Sequence, residues 1–115
     1  MPKRPQGEML QGTLDMLVLK TLAPGAAHGH TIAKIIERGS GDFLQVEQGS
    51  LYPALYRLEE RGWIASFWGS TENNRKAKYY RLTAAGKRRL QTEAEKWNRM
   101  ADVIAGILGT TPEEI

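Results

Sequence analysis

The chain contains no cysteine among its 115 residues. This absence excludes a disulfide framework, a thiol nucleophile and any zinc site built on cysteine. No apolar run approaches the roughly 18 residues needed to cross a bilayer, and Met1 to Pro5 carry charge without the apolar stretch of a signal peptide. A glycine-rich phosphate-binding loop is also missing. These absences argue against a membrane protein and against several classes of enzyme, and they favour a cytoplasmic protein.

The composition is that of a soluble globular chain, with 41% hydrophobic and 25% charged residues, and the length suits one domain. The net charge is only +3, but residues 71–90 alone carry an excess of +6, so the rest of the chain sums to −3. The cations in this segment are Arg75, Lys76, Lys78, Arg81, Lys87, Arg88 and Arg89. Such a cluster favours binding of a polyanion, although a solvated surface is the alternative.

The first half of the chain contains three amphipathic segments. Residues 12–22 are predicted to form a helix with one apolar stripe of Leu14, Leu17, Val18 and Leu22. Its second apolar face, expected to contact a partner chain, comprises Met9, Met16 and Leu19. The segment "HGHTIAKIIERGSG" predicts a second helix that buries Ile32, Ile35 and Ile36.

The segment "GSLYPALYRLEERG", residues 49–62, predicts a third helix. Leu51, Leu55 and Leu58 recur at helical spacing and form its inward stripe, called the leucine stripe below. Ser50 is the expected N-cap and Pro53 is expected in the first turn, where its missing N–H breaks no helical hydrogen bond. Gly62 is expected to end the helix.

The segments "WIASFW" and "KYYRLT" have the composition of strands, and "GSTENNRKA" between them predicts a hairpin with a long basic tip. Thr83 is expected to cap a final helix that ends near Leu108, before Gly109. Apolar residues recur along this helix at spacings of 4, 3, 4, 3 and 4: Leu90, Ala94, Trp97, Ala101, Ile104 and Leu108. A seam of this kind needs a partner helix.

This order predicts a mainly α fold with a small β-hairpin, namely a winged helix-turn-helix followed by a long C-terminal dimerisation helix. The expected division is a flexible tail at 1–8, a DNA-binding domain at 9–83, the dimerisation helix at 84–109 and a tail at 110–115.

A helix-turn-helix places the N-terminal part of its second helix in the major groove of DNA, and a basic hairpin can hold the phosphate backbone. The acidic Glu59 and Glu60 lie at the opposite end of the third helix, where they do not oppose phosphate. The predicted DNA-binding residues are therefore Gln48, Gly49, Ser50, Tyr52, Pro53, Tyr56, Arg57, Asn73, Asn74, Arg75, Lys76 and Lys78.

The blocks "GTLDMLVLKTLAPGAAHGHTIAKII", "QGSLYPALYRLEERGWI" and "KAKYYRLTAAGKRRL" closely resemble the PadR family of bacterial transcriptional regulators. The resemblance covers about residues 10–97 and is to the short members with one C-terminal helix. It implies a homodimeric repressor that binds a near-palindromic operator in double-stranded DNA. It also implies release by a small aromatic or drug-like effector, for which Trp97 is the candidate contact.

Other classes of function remain open at this stage. A winged helix without DNA contact would be a protein-interaction module, and a MarR-type regulator would share the DNA-binding function. Catalysis lacks support because neither His28 nor His30 pairs with an evident nucleophile. Their i, i+2 spacing is also poor for a metal site, so no metal and no cofactor are expected.

Overall fold

The computed structural model describes residues 11–111 and residue 113. Within these residues the chain forms α1 (Gln11–Thr21), β1 (Ala27–His28), α2 (Gly29–Gly39), α3 (Gln48–Glu60), β2 (Ile64–Ser70), β3 (Lys76–Leu82) and α4 (Ala84–Leu108). The predicted architecture, mainly helical with a small sheet and a long C-terminal helix, is confirmed. The expected tail at 1–8 and the proposed interface residue Met9 lie outside the described residues.

The leucine stripe of α3 lies at the centre of the core. Its side chains are almost fully buried, with relative exposures of 2% for Leu51, 1% for Leu55 and 0% for Leu58. They pack with Val18 of α1 and Ile32 of α2. Burial of a leucine side chain stabilises a fold by about 1.5–3 kcal/mol, so this stripe determines which side of α3 faces inward.

Two predictions about the apolar faces are wrong. Leu19, expected at a dimer interface, is 1% exposed and belongs to the core of its own chain, because α1 packs on α2, α3 and α4 together. Ile35, expected to point inward, is 43% exposed. It precedes the buried Ile36 by one residue and is therefore rotated about 100° around the helix axis, towards solvent.

The start of α3 also differs from the prediction. Glu47, with extended backbone, is the N-cap, and its carbonyl accepts a hydrogen bond of 2.9 Å from the N–H of Leu51. Ser50 consequently lies in the first turn instead of at the cap, and Pro53 lies in the second turn, where it cannot donate to the carbonyl of Gly49. Gly62, with φ of +75°, ends the helix as predicted.

The hairpin of β2 and β3, together with its connecting turn, forms the wing. The strands pair without interruption from Ile64↔Leu82 to Ser70↔Lys76, so the tip is the short turn 71–75 instead of the longer loop predicted. Within this turn the N–H of Thr71 donates to the carbonyl of Arg75 at 2.8 Å, and Asn74 adopts φ of +59°. The two-residue strand β1 pairs with β3 and had no clear signal in the sequence.

Helix α4 begins where it was predicted to begin. The hydroxyl of Thr83 accepts a hydrogen bond of 3.0 Å from the N–H of Gly86 and donates one of 2.7 Å to the carbonyl of Gly62. These bonds join the start of α4 to the end of α3. Gly86 is buried at this junction, and a Cβ atom there would lie 1.9 Å from the backbone oxygen of Trp63.

We therefore expect Gly86→Ala to destabilise the fold by about 3 kcal/mol, because a rigid backbone oxygen occupies the space that the new methyl group needs. The matched control is Gly106→Ala in the same helix, where a Cβ meets nothing within 4 Å. This control should be neutral or stabilising by about 0.5–1 kcal/mol. Urea denaturation followed by circular dichroism compares the two variants, and equal stability would contradict the close approach at Gly86.

Candidate nucleic-acid interface

The surface of α3 opposite the leucine stripe is free of intramolecular cover. Gly49, Pro53 and Tyr56 lie on this side at successive helical turns and are all exposed, Tyr56 at 65%. Gln48 and Ser50 are also exposed, beside the first of these turns. We call Gly49, Pro53 and Tyr56 the outer face of α3. The tyrosine hydroxyl at its far end donates a 3.4 Å hydrogen bond to Glu60.

Tyr52 lies on the flank of α3 that is turned towards the sheet and the start of α2. Its ring covers Gly29 so closely that a Cβ at Gly29 would be 2.9 Å from the tyrosine hydroxyl oxygen. Tyr52 nevertheless remains 46% exposed. On the adjacent strand, burial raises the pKa of Tyr80, and the neighbouring Glu59 and Tyr52 raise it further. Tyr52 therefore lies at the edge of the outer face, with its ring against Gly29.

Arg57 is not brought together with the other predicted DNA-binding residues. Its Nη2 atom lies 2.8 Å from Oδ1 of Asp15 in α1, and the two side chains are only 28% and 15% exposed. This pair is on the flank of α3 away from Tyr52. Its geometry indicates that Arg57 holds α3 against α1.

The turn of the wing presents exposed polar and cationic side chains: Asn73, Asn74 and Arg75. Lys76 follows in β3, and its Nζ atom lies 5.1 Å from the centre of the Trp68 ring. Residues 71–78 contain three cations and one acidic side chain, Glu72, so the field at this end of the wing is positive.

Lys78, although exposed, is oriented towards α3. Its Nζ atom is 3.9 Å from Oε1 of Glu59, and the other carboxylate oxygen accepts a 2.5 Å hydrogen bond from the hydroxyl of Ser66. Glu59 therefore links α3 to both strands of the wing. This contact explains why an acidic residue at the end of α3 is useful, and it could not be recognised from sequence spacing.

The start of α2 and the turn of the wing enclose an open cleft of about 510 Å³, lined by His28, His30, Thr31 and Arg75 among others. The two imidazole rings are stacked with centroids 6.4 Å apart, and Nε2 of His28 is 3.2 Å from the hydroxyl of Thr31. No group of three or more His, Cys, Asp or Glu side chains in the part of the chain that the structure describes could hold a metal ion.

Helix α4 divides into an attached half and an uncovered half. Leu90 packs against the core and Ala94 is half-buried, whereas all residues from 95 to 109 are exposed. The predicted seam continues along the uncovered half with Trp97, Ala101, Ile104 and Leu108. Three further apolar side chains, which the 4, 3 spacing does not include, lie beside the seam. They are Met100, Val103 and Ile107, with exposures of 54%, 50% and 61%.

Met16 of α1 lies beside this uncovered half. It shares with Trp97 and Met100 an open groove of about 320 Å³, which Gly12 also lines. The indole of Trp97 is 49% exposed there. Among the described residues no helix has the length and apolar character to cross a membrane.

Comparisons with known proteins agree with this architecture. A model of the transcriptional regulator PadR-like family matches residues 18–92 of the chain. A transcriptional regulator from Clostridium thermocellum is 30% identical, with a TM-score of 0.75 over 84% of this chain and 93% of its own. A PadR family transcriptional regulator from Eggerthella lenta is 34% identical, with a TM-score of 0.74 over 88% of this chain and 86% of its own.

A PadR-like transcriptional regulator from Bacillus cereus is only 23% identical but has a TM-score of 0.78 over 90% of this chain and 99% of its own, which shows the same fold. The resemblance that the sequence motifs indicate is thus confirmed by a family match over most of the chain. The chain belongs to the PadR-like family of transcriptional regulators.

Proposed function

We propose that this regulator is a dimeric repressor. Residues 9–83 form its DNA-binding domain and residues 84–109 its dimerisation helix. Two copies joined through α4 bind a near-palindromic operator, and a small flat aromatic molecule bound near Trp97 releases them from DNA. The observation that carries this proposal is the uncovered apolar face of α4, because a long helix with such a face needs a partner of the same kind.

The area and position of this face support a second copy as the partner. Six large apolar side chains on α4 are between 47% and 80% exposed: Trp97, Met100, Val103, Ile104, Ile107 and Leu108. A cluster of large apolar side chains exposed on one helix face is typical of an interaction surface. In a two-fold dimer the same face of each copy covers the other, and Met16 of α1 borders the contact.

The outer face of α3 and the turn of the wing support DNA as the ligand. The exposed, sterically open start of α3 carries Gln48, Gly49 and Ser50, and the positive end of the helix dipole there favours phosphate. Tyr52, Pro53 and Tyr56 follow along the exposed side, and these residues would meet the base edges. Asn73, Asn74, Arg75 and Lys76 would contact phosphate or the minor groove. Lys78, whose ammonium group lies near Glu59, would add its positive charge to the field that attracts the phosphate backbone.

Effector release requires that the ligand binds one arrangement of the dimer better than another. The groove at Trp97 lies between α1 and the uncovered half of α4. A flat molecule stacked on the indole would alter how the two α4 helices pack, and hence the separation of the two α3 helices. Since both half-sites must be met together, a small change in this separation weakens operator binding.

Reversing the charge of the wing with Arg75→Glu and Lys76→Glu should abolish operator binding and flatten its dependence on salt, because ion release from phosphate drives the association. The matched control reverses two exposed charges elsewhere, Lys20→Glu in α1 and Arg38→Glu in α2. Fluorescence anisotropy with an operator selected from random-sequence DNA measures both variants over a range of salt concentrations.

The control should retain most of the affinity, since the same change in net charge is made away from the wing. Equal losses in the two variants would show that only overall charge matters. If the wild-type protein selects no sequence and shows no salt-dependent binding, a protein-interaction module becomes the better explanation.

Placing charges on the uncovered face of α4 with Ile104→Glu and Ile107→Glu should convert the dimer into a folded monomer, because neither residue contacts the core of its own chain. Sedimentation equilibrium measures the mass, and circular dichroism checks the fold. Operator affinity should fall with the loss of the second half-site. A variant that remains dimeric would place the interface elsewhere.

Planar aromatic compounds should quench tryptophan emission and release the operator at the same concentration range. Trp97→Ala should lose both effects while the dimer remains intact, because the stacking surface is removed. Fluorescence titration and anisotropy follow quenching and release in parallel. Release that persists in Trp97→Ala would mean that the effector acts at another site.

A further inference from the structure

The wing carries a large exposed aromatic side chain that its own fold does not use. Trp68 lies in β2 and is 62% exposed, although it is among the largest apolar side chains of the chain. The ammonium group of Lys76 lies over its ring at 5.1 Å from the centroid. A cation–π contact at such an exposed site stabilises the fold only weakly, so it does not explain an indole at this position.

The strand register places Trp68 on the side of the wing that faces α3. Trp68 is opposite Lys78, two residues beyond the pair of Ser66 and Tyr80. Tyr80 is buried beneath α3, and Ser66 is bonded to Glu59 of that helix. Because alternate residues of a strand share a face, Trp68 shares the face of Ser66 but lies nearer to the turn, beyond the cover of α3.

The other face of the wing is packed differently. There the ring of Phe67 stacks on Tyr79 with centroids 5.7 Å apart, and Tyr79 in turn meets the edge of His28 at 5.4 Å. The stack supports the sheet from that side. Trp68 has no comparable aromatic neighbour among the ring contacts of the described residues.

The surroundings of Trp68 suit DNA better than another protein. Lys76 lies over the indole, and Lys78 is the strand partner of Trp68 with its ammonium group turned towards Glu59. The bonds of Glu59 to Ser66 and Lys78 hold this side of the wing at a set distance from α3. The indole thus borders the space next to the proposed major-groove helix. An apolar ring framed by cations is complementary to a sugar–phosphate strand, which presents an apolar deoxyribose between two anions.

We propose that Trp68 and Lys76 form one backbone-binding unit, in which the indole packs on a deoxyribose of the operator and the ammonium group pairs with the adjacent phosphate. This inference rests on the proposed DNA-binding function. It adds Trp68, an uncharged residue that makes no specific base contact, to the proposed DNA-binding surface. The wing would thereby bind the DNA strand beside the groove that α3 occupies.

The experiment compares Trp68→Ala, Lys76→Gln and the control Phe67→Ala, which removes a ring from the same strand on the opposite face. Operator affinity is measured by fluorescence anisotropy at several salt concentrations, with an operator selected by the wild-type protein.

Trp68→Ala should weaken binding by about tenfold without changing the salt slope, because an apolar contact is lost. Lys76→Gln should weaken binding and reduce the slope by about one. Phe67→Ala should bind within about twofold of wild type.

An affinity of Trp68→Ala equal to that of wild type or of Phe67→Ala would overturn this inference while leaving DNA binding itself intact. Failure of the wild-type protein to bind any operator would overturn both proposals. If Trp68→Ala does not fold, acrylamide quenching decides the matter in a background with Trp63→Phe and Trp97→Phe, in which Trp68 is the remaining tryptophan. Bound operator should then shield Trp68, and unchanged quenching would contradict the contact.

Discussion

The burial of the leucine stripe of α3 is the interaction on which the rest of the surface depends. Three leucines at helical spacing, each at most 2% exposed, allow α3 only one orientation about its axis. The opposite side, with Gly49, Pro53 and Tyr56, is thereby turned outward at a defined angle. Asp15 and Arg57 fix one flank of the helix, and the contacts of Glu59 fix the wing on the other flank. The orientation of the proposed DNA-reading surface therefore follows from packing inside the chain.

The second constraint is the incomplete burial of α4. Its first turns are tied to the core by the bonds of Thr83 and by the close approach at Gly86. Along its last four turns every residue is exposed, and the apolar face there is not covered by the core of its own chain. One rigid helix thus connects the DNA-binding unit to the proposed dimer contact. In such an arrangement, a small change in packing between two α4 helices is transmitted to the separation of the two α3 helices, which is the physical basis of the proposed control by an effector.

Periodicity was enough to predict α3, its leucine stripe, the two strands of the wing and the extent of α4, because these features depend on short-range spacing and on large differences in hydrophobicity. It was not enough where tertiary partners decide. The prediction for Leu19 is wrong because a short helix with two apolar faces does not reveal which of its neighbours cover it. The side chain of Ser50 is suited to an N-cap, but Glu47 holds that position. The pairing of Lys78 with Glu59 and the location of Trp68 beside α3 depend on the strand register, which only the structure provides.

The central claim is that two copies, joined through α4, present their α3 helices to one face of the DNA. Hydroxyl-radical footprinting of the wild-type protein on its selected operator tests this claim most directly. The account predicts two symmetry-related protected segments whose centres are about one helical turn of DNA apart, roughly 34 Å. A single protected half-site, or two segments whose spacing varies freely from one operator to another, would contradict it.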